Sequence, residues 1–187
     1  MQPEHWLEER ITEAKSIGRG SSQASLLKVF TADAGDQPTP YRYILKNCQL
    51  IRVEVTLGYF GTAVPSRPNE DIKGPAVVTI SPLYLENPTR PKELSTQEKW
   101  LIPFMNDCYA IKPGMSRAAL LKKFAPEAGL QPMLPTRYVH KNCNLVKIDV
   151  TFDTAGKTKP LKRPIASDDE LAIKTVSRPY VDLAICD

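Results

Sequence analysis

The residues with the clearest potential for chemistry are a histidine and a cysteine three positions apart, His140 and Cys143. An imidazole that deprotonates a thiol is the arrangement of cysteine hydrolases, but that chemistry also needs an acid to orient the imidazole. The sequence shows no evident acid for this role, and the equivalent of His140 in an earlier, similar stretch of the chain is Leu45. We therefore expect His140 and Cys143 to be structural or exposed residues, and not a catalytic pair.

Two other patterns suggest chemistry and have a simpler explanation. Residues 18–22 contain the glycines of a phosphate-binding loop, but they follow a predicted helix instead of a strand, so we predict a helix–helix turn. Glu54 lies beside Arg52 and Asp149 lies beside Lys147, which is typical of solvated cross-strand pairs and not of the paired carboxylates of a glycosidase. No residue is assigned a catalytic role, and we predict that the protein is not an enzyme.

The four cysteines are not spaced as metal ligands. They are Cys48, Cys108, Cys143 and Cys186. No CxxC motif and no histidine at metal-ligand spacing accompanies them, so we predict neither a metal site nor a cofactor. Cys108 and Cys186 occur only in the second of the two repeat units described below, so a disulfide between them is one hypothesis. Free or buried thiols are the alternative.

Composition and charge limit the class of protein. The chain has 187 residues, 42% of them hydrophobic, and a formal net charge of +4. No apolar run approaches the ~20 residues that a bilayer-spanning helix needs, and the Glu-rich N-terminal segment is not a signal peptide. The excess positive charge lies in a short stretch followed directly by acidic residues, which predicts a solvated loop and no nucleic-acid binding. The basic residues of this stretch are Lys157, Lys159, Lys162 and Arg163.

A long stretch of the sequence occurs twice. Residues 42–57 return as residues 137–152, 95 positions later, with eight identical residues among the 16 aligned. A second block that begins at Gly20 matches a block that begins at Gly114. The chain is therefore predicted to be a tandem duplication. The predicted boundaries are 1–87 for repeat unit one, 88–94 for the linker and 95–187 for repeat unit two.

Each unit is predicted to form two helices followed by three or four strands. Residues 3–17 place apolar side chains on one helical face. In the second unit Pro103 interrupts the corresponding stretch, so the helix there is expected to be shorter or to begin near Pro103. The second helix of each unit is expected to begin at Ser22 or Ser116, whose hydroxyl accepts a hydrogen bond from a free amide of the first turn.

The apolar period then changes to two. In residues 51–57 and 146–152 apolar side chains alternate with polar ones, which predicts antiparallel strands with one face on a core. Residues 42–46 and 137–141 are the expected hairpin partners. The expected turns lie at Asn47 and Asn142.

Residues 112–121, Lys-Pro-Gly-Met-Ser-Arg-Ala-Ala-Leu-Leu, resemble a known helix start. The resemblance is to the Gly-Met-Thr-Arg segment of the β-lactamase-inhibitor-protein-like fold, shared by those inhibitors and by small lipoproteins of outer-membrane assembly. In that fold two short helices precede an antiparallel sheet, and the inhibitors carry two such units. The strands are also similar to those of duplicated bacterial proteins of unassigned function. The resemblance implies a non-enzymatic binding protein from a bacterium, located outside the cytoplasm, with a cytoplasmic location as the alternative.

We therefore predict an α+β protein built as a tandem duplication of a helix-helix-antiparallel-sheet unit. Helices would cover one face of each sheet, and the other face would bind a protein partner, with a small-ligand site between the two units as the alternative. Tyr and Arg are frequent in interface hot spots, so polar and aromatic residues of the open face are the candidates. The predicted partner-binding residues are Tyr43, Arg52, Glu54, Tyr138, His140, Lys147 and Asp149.

Overall fold

The computed structural model of this chain describes residues 2–33, 40–59, 74–88, 93–127, 135–153 and 170–183. Within these residues the chain forms four α-helices and antiparallel strand pairs, which confirms the α+β class. It divides into two compact units, Met1–Lys99 and Trp100–Asp187. Most of the predicted linker and the basic stretch at 157–163 lie outside the described residues.

The first unit begins with two helices and continues as a five-stranded sheet. Its elements are α1 Pro3–Lys15, α2 Gln23–Val29, β1 Phe30–Ala32, β2 Tyr41–Leu45, β3 Cys48–Gly58, β4 Ala76–Ile80 and β5 Leu83–Leu85. The strands pair in the order β1, β2, β3, β5, and β4 pairs with the far end of β3. The helices bury Leu7, Ile11 and Leu26, and the side chains of β3 that face this core are Ile51, Val53 and Val55, as the alternating pattern predicts.

The start of α2 confirms the capping prediction. The Ser22 hydroxyl accepts a hydrogen bond from the Ser25 amide at 3.1 Å, which satisfies one free donor of the first turn. Gly20, just before it, has a φ of +88°, a conformation that glycine adopts without steric cost. Its amide donates to the Val77 carbonyl at 2.9 Å, so the turn before α2 lies along the outer edge of β4.

The second unit has the same order of elements. They are α3 Thr96–Ala110, which begins just before the unit boundary, α4 Arg117–Leu120, β6 Phe124–Pro126, β7 Thr136–His140, β8 Cys143–Phe152, β9 Ile173–Val176 and β10 Tyr180–Val181. The Ser116 hydroxyl caps α4 by accepting from the Ala119 amide at 3.2 Å. Gly114 repeats the φ of +88° found at Gly20.

The prediction that α3 would begin near Pro103 is wrong, since the helix begins seven residues earlier, at Thr96. A capping box explains the early start. The Ser95 hydroxyl accepts from the Glu98 amide at 3.2 Å, and the Glu98 carboxylate accepts from the Ser95 amide at 2.8 Å. Pro103 is exposed inside the helix, and the tertiary contacts of Leu101 and Met105 on either side, both fully buried, hold the helix together through it.

A wide bulge follows the hairpin turn in each unit. The turn itself is as predicted, since Leu45 pairs with Cys48 across residues 46 and 47. A regular two-residue hairpin would next place Ile44 opposite Gln49, but Ile44 lies opposite Arg52 instead, three residues further on. In the second unit Val139 is displaced by the same amount and lies opposite Lys147.

This displacement decides which side chains share a face of the sheet. Side chains alternate between the two faces along a strand, so a displacement by an odd number of residues exchanges the faces. Because the bulge displaces the pairing by three residues, the side chains of β2 before Leu45 share a face with the opposite set of β3 side chains from the set a regular hairpin would give them. Tyr43 lies opposite Val53, and Tyr138 lies opposite Ile148, both on the core face. The prediction that these tyrosines share a face with Arg52 and Lys147 is therefore wrong.

Candidate functional site

Arg52 lies in the middle of β3 on the face away from the helices, and its side chain is 1% exposed. Its Nη1 donates to the carbonyl oxygens of Gln49, at 3.2 Å, and Glu86, at 2.8 Å. Its Nε lies 3.4 Å from a carboxylate oxygen of Asp33, the residue that follows β1. A buried guanidinium requires several acceptors, and this position supplies them from three different segments of the first unit.

Arg42 adds a second cation to the same cluster. Its guanidinium forms an ion pair with Glu86 and lies 3.8 Å from the Asp33 carboxylate. Burial lowers the pKa of Arg42, but Tyr84 and Glu86 raise it, and the net shift is upward. We call Arg52, Arg42, Asp33 and Glu86 the first charge cluster.

The second unit carries a charge cluster at the equivalent place in its sheet. Lys147 in β8 is fully buried, and its Nζ donates to Glu127 at 2.5 Å and to the Leu183 carbonyl at 2.9 Å. Arg137 lies 3.5 Å from the other oxygen of Glu127 and 3.4 Å from Asp149. We call Lys147, Glu127, Arg137 and Asp149 the second charge cluster.

Tyr180 of β10 completes the second charge cluster. Its hydroxyl donates to Asp149 at 2.8 Å, and the Arg137 guanidinium lies 5.5 Å from the centre of its ring. Burial raises the pKa of Tyr180, and the hydrogen bond to Asp149 raises it further. Asp149 is therefore a structural acceptor for two partners, a tyrosine and an arginine of the same unit.

His140 is buried and has defined partners at both ring nitrogens. Its Nδ1 accepts from the Asn142 amide at 3.2 Å, so the proton of the neutral ring lies on Nε2, which is 3.1 Å from Asp107. The rings of Phe104 and Phe124 meet the imidazole edge to face, at 5.0 and 5.2 Å. The orienting acid that the sequence did not show is therefore present, in α3, but the nitrogen that a catalytic base would use already accepts an amide proton.

Two of the described thiols, those of Cys48 and Cys108, are poor nucleophiles. Cys48, Cys108 and Cys143 are buried and form no disulfide bond with one another. Burial raises the pKa of Cys48 and of Cys108 to about 12, so their thiolate fraction at neutral pH is very small. Cys108 forms no disulfide with another described cysteine, and Cys186, its partner in the hypothetical disulfide, lies outside the described residues.

Most of the predicted partner-binding residues are not on the surface of the described structure. Five of the seven predicted residues are buried, with exposed fractions between 0% and 4%: Tyr43, Arg52, Tyr138, His140 and Lys147. The tyrosines are buried because of the bulge, and the two cations because each is enclosed by its charge cluster. Glu54 and Asp149 are half-buried, and their amides donate to Ser81 and Ser177, both at 2.9 Å.

The first unit has a cleft beside the first charge cluster. Its volume is about 690 Å³. It lies along the side of β1, β2 and the hairpin turn that carries Ile44 and Arg52, and it extends to the start of α3. The residues that line it are Thr31, Ala32, Asp33, Ile44, Leu45, Lys46, Asn47, Cys48, Gln49, Arg52, Pro88, Ser95 and Glu98.

Glu98 closes one end of this cleft and is 5% exposed. One carboxylate oxygen accepts from the Gln49 amide at 2.7 Å, and the other accepts from the amide and hydroxyl of Ser95, at 2.8 and 2.9 Å. The other carboxylate of the cleft, Asp33, is paired with the Arg52 guanidinium. The acidic groups of the cleft therefore already have partners, while the side chains of Thr31, Lys46 and Asn47 are exposed at its mouth.

Sequence analysis missed the residues that build this cleft. Ser95 and Glu98 have the Ser-x-x-Glu spacing of a capping box, a signal that was present in the sequence. Asp33 and Thr31 belong to a segment too short for a periodic pattern. Their proximity to Arg52 depends on strand register, which composition and spacing do not encode.

Comparison of the chain with protein-family models, with curated proteins and with solved structures finds no match. Among the helices of the described ranges, none is long and apolar enough to span a bilayer. The described residues contain no group of three or more histidine, cysteine or acidic side chains arranged to hold a metal ion.

Proposed function

We propose that the chain is a non-enzymatic protein-binding module, and that the cleft of the first unit is the place where it contacts its partner. The observation that carries this proposal is the cleft itself, which borders an exposed strand, β1, and a hairpin turn with exposed side chains. This replaces the open sheet face as the binding surface, because most of the side chains proposed there are buried.

The state of the reactive groups supports a binding role. Cys48 and Cys108 are held as neutral thiols, and both nitrogens of His140 are engaged in hydrogen bonds. The described carboxylates nearest the cleft, Asp33 and Glu98, are saturated by cations or amides of the protein. A cleft whose acidic groups are already paired suits recognition of a surface or a segment better than bond cleavage.

We also propose that the two units arose by duplication of one ancestral module. Eight identical residues in the hairpin, the same element order and the same three-residue bulge support this origin. The origin in a bacterium and the location outside the cytoplasm rest on the resemblance to the β-lactamase-inhibitor-protein-like fold and stay predictions.

A site-specific photo-crosslinker tests the binding role. Thr31, exposed at the mouth of the cleft, is replaced by p-benzoylphenylalanine, and Ala125 at the equivalent position of β6 is replaced in the matched control. We expect irradiation in a native extract of the source cells to yield one defined protein adduct from position 31, identified by mass spectrometry, and none from position 125. Identical adducts from both positions, or no adduct from position 31, would contradict the proposal.

A small-molecule ligand is the second candidate, because a volume of about 690 Å³ lies within the ~300–1,000 Å³ range of ligand pockets. A ligand at 100 times its Kd stabilises the folded state by about 2.7 kcal/mol, which a thermal shift assay detects. A metabolite that raises the Tm of the wild-type protein and of K141W, but not of K46W, would favour this candidate. Lys46 lines the cleft and Lys141 occupies the equivalent turn of the second unit.

A further inference from the structure

The outer edge of β1 presents backbone groups that its own sheet does not use. Hydrogen bonds join the Asp33 amide to the Arg42 carbonyl at 2.9 Å and the Lys46 amide to the Val29 carbonyl at 3.1 Å. Bonded pairs alternate along an antiparallel ladder, so Ala32, opposite Tyr43, directs its N–H and C=O away from β2. Ala32 is exposed, and within the described ranges no hydrogen bond satisfies these two groups.

The equivalent edge of the second unit is blocked. Strand β6 has the same register, with hydrogen bonds from the Glu127 amide to Arg137 at 3.0 Å and from the Lys141 amide to Lys123 at 2.9 Å. The residue opposite Tyr138, at the position of Ala32, is Pro126. Proline has no N–H to donate and its ring occupies the edge, which is a common way to prevent a further strand from pairing.

The cleft lies directly beside the open edge. Thr31, Ala32 and Asp33 line it, so a strand added next to β1 would run along the cleft at the usual spacing of about 4.8 Å. Every second side chain of that strand would point to the face of the sheet that carries Ile44 and Arg52, and hence into the cleft. The buried charges there, Arg52 with Asp33 and Glu98 with backbone amides, are already compensated. An incoming charged side chain would therefore lose hydration without gaining a buried counter-charge.

We propose that the outer edge of β1 binds an extended, uncharged segment of the partner protein by strand addition. This inference rests on the protein-binding function proposed above and specifies its mode. The N–H and C=O of Ala32 form the hydrogen bonds to the added strand, and its alternate side chains enter the cleft. The second unit does not bind in this way, because Pro126 removes the donor.

The test uses a displayed library of random heptapeptides as the probe. Peptides are selected on the wild-type protein, and those whose binding K46W blocks are synthesised. We expect the affinity of these peptides to fall at least tenfold in A32P, which copies the residue of the second unit, and to be unchanged in P126A. We also expect the hydrogen-exchange rate of the Ala32 amide in the wild-type protein to fall at least tenfold at saturation.

A second experiment uses the wild-type protein and alters the peptides instead. The peptides are N-methylated at alternate amides, in two sets that differ by one residue. Since only one set faces β1, we expect one set to lose at least tenfold in affinity and the other to bind as before. Equal loss in both sets, or none in either, would overturn strand addition even if A32P failed to fold.

The outcomes separate the two proposals. Suppose that K46W abolishes binding of the peptides, but A32P binds them normally and the Ala32 amide still exchanges freely when they are bound. This result would overturn strand addition and leave the protein-binding function standing. A library that yields no peptide blocked by K46W would overturn both. Self-association of the wild-type protein that A32P abolishes, measured by analytical ultracentrifugation, would assign the edge to a second copy of the chain and overturn the proposed occupant.

Discussion

Arg52 and Lys147 occupy equivalent positions in the long strands of the two units, but they satisfy their charge differently. The Arg52 guanidinium is distributed over two backbone carbonyls and the Asp33 carboxylate, at 2.8 to 3.4 Å. The Lys147 ammonium is directed mainly at one carboxylate, that of Glu127, at 2.5 Å. A forked donor can engage several acceptors, whereas an ammonium acts as a point charge. The charge at this position is therefore shared among several acceptors in the first unit, and is compensated by one buried carboxylate and one carbonyl in the second.

Replacing each cation with an uncharged residue is the first test of this difference between the two units. We expect K147M to lower the free energy of unfolding by about 3–5 kcal/mol, because it leaves the buried Glu127 carboxylate with only the more distant Arg137. We expect R52M to cost less, about 2–3 kcal/mol, because Arg42 stays near both carboxylates that Arg52 contacts, Asp33 and Glu86, and the remaining lost partners are neutral carbonyls. Urea denaturation measures both.

The two tryptophans make the readout specific to each unit. Trp6 belongs to the first unit and Trp100 to the second. Single-tryptophan backgrounds, W100F for R52M and W6F for K147M, report each unit by fluorescence. A larger loss of unfolding free energy in R52M than in K147M would contradict the expectation that a charge shared among several acceptors is less costly to remove.

The second prediction concerns pH, and contrasts Asp107 with its counterpart Glu13. Burial raises the pKa of Asp107. Hydrogen bonds from His140 and Lys123 lower it by more than burial raises it, so the net shift is downward. The stabilisation from this carboxylate is thus present above its unfolded pKa of about 3.9 and is lost as the pH falls through the folded value. We expect D107N to cost about 1.5 kcal/mol at pH 7, and this difference to shrink progressively below about pH 4.

The matched control for Asp107 is E13Q. Glu13 forms an ion pair with Arg10 one turn earlier in α1, at 2.7 Å, and accepts from Asn47 at 3.3 Å. Pairs of this kind on a helix surface contribute only about 0.3–0.5 kcal/mol. We expect E13Q to cost less than about 0.5 kcal/mol at pH 7. A D107N effect that stays constant between pH 7 and pH 3 would show that the carboxylate charge is not the cause.

The third prediction tests a feature that the units share. We expect S22A and S116A to cost about 1 kcal/mol each, because each removes the hydroxyl that accepts the first free amide of a helix. Chemical denaturation of the two variants, with S22T and S116T as controls that keep an acceptor, measures the loss. A cost confined to one variant would indicate that the two caps are not equivalent in energy.

The smallest expected effect is that of A32P on stability. The position is exposed, its N–H donates no hydrogen bond within the described ranges, and Pro126 occupies the same register position in the second unit. We therefore expect a change within about 0.5 kcal/mol in the free energy of unfolding. A loss of several kcal/mol would mean that the backbone of β1 and that of β6 differ more than their registers indicate.

Local signals in the sequence were sufficient for the long strands and for the caps at Ser22 and Ser116, but not for the start of α3 or for strand β1. The apolar alternation of residues 51–57 placed the core face of β3 correctly, and the turn at Asn47 was predicted from the hairpin pattern. Ser22 and Ser116 were recognised as caps because capping depends on a side chain and amides within three residues.

Longer-range features could not be predicted. The burial of Arg52 depends on Asp33 and Glu86, which are distant in sequence and brought near only by the register of three strands. Strand β1 has three residues, too few for a periodic pattern. The faces of Tyr43 and Tyr138 depend on the bulge, and no glycine or other residue at residues 49–51 marks it. The cleft depends on all of these, so it was missed together with them.

The bulge also restricts how the chain can change in length. Between the turn and the paired part of β3, the loss or gain of one residue would exchange the two faces of the hairpin and expose Val53 and Val55, whereas a change of two would keep the faces as they are. Viable insertions and deletions at residues 49–51 and at the corresponding residues of the second unit should therefore come in even numbers. The fold therefore constrains whether the number of residues in this segment is odd or even.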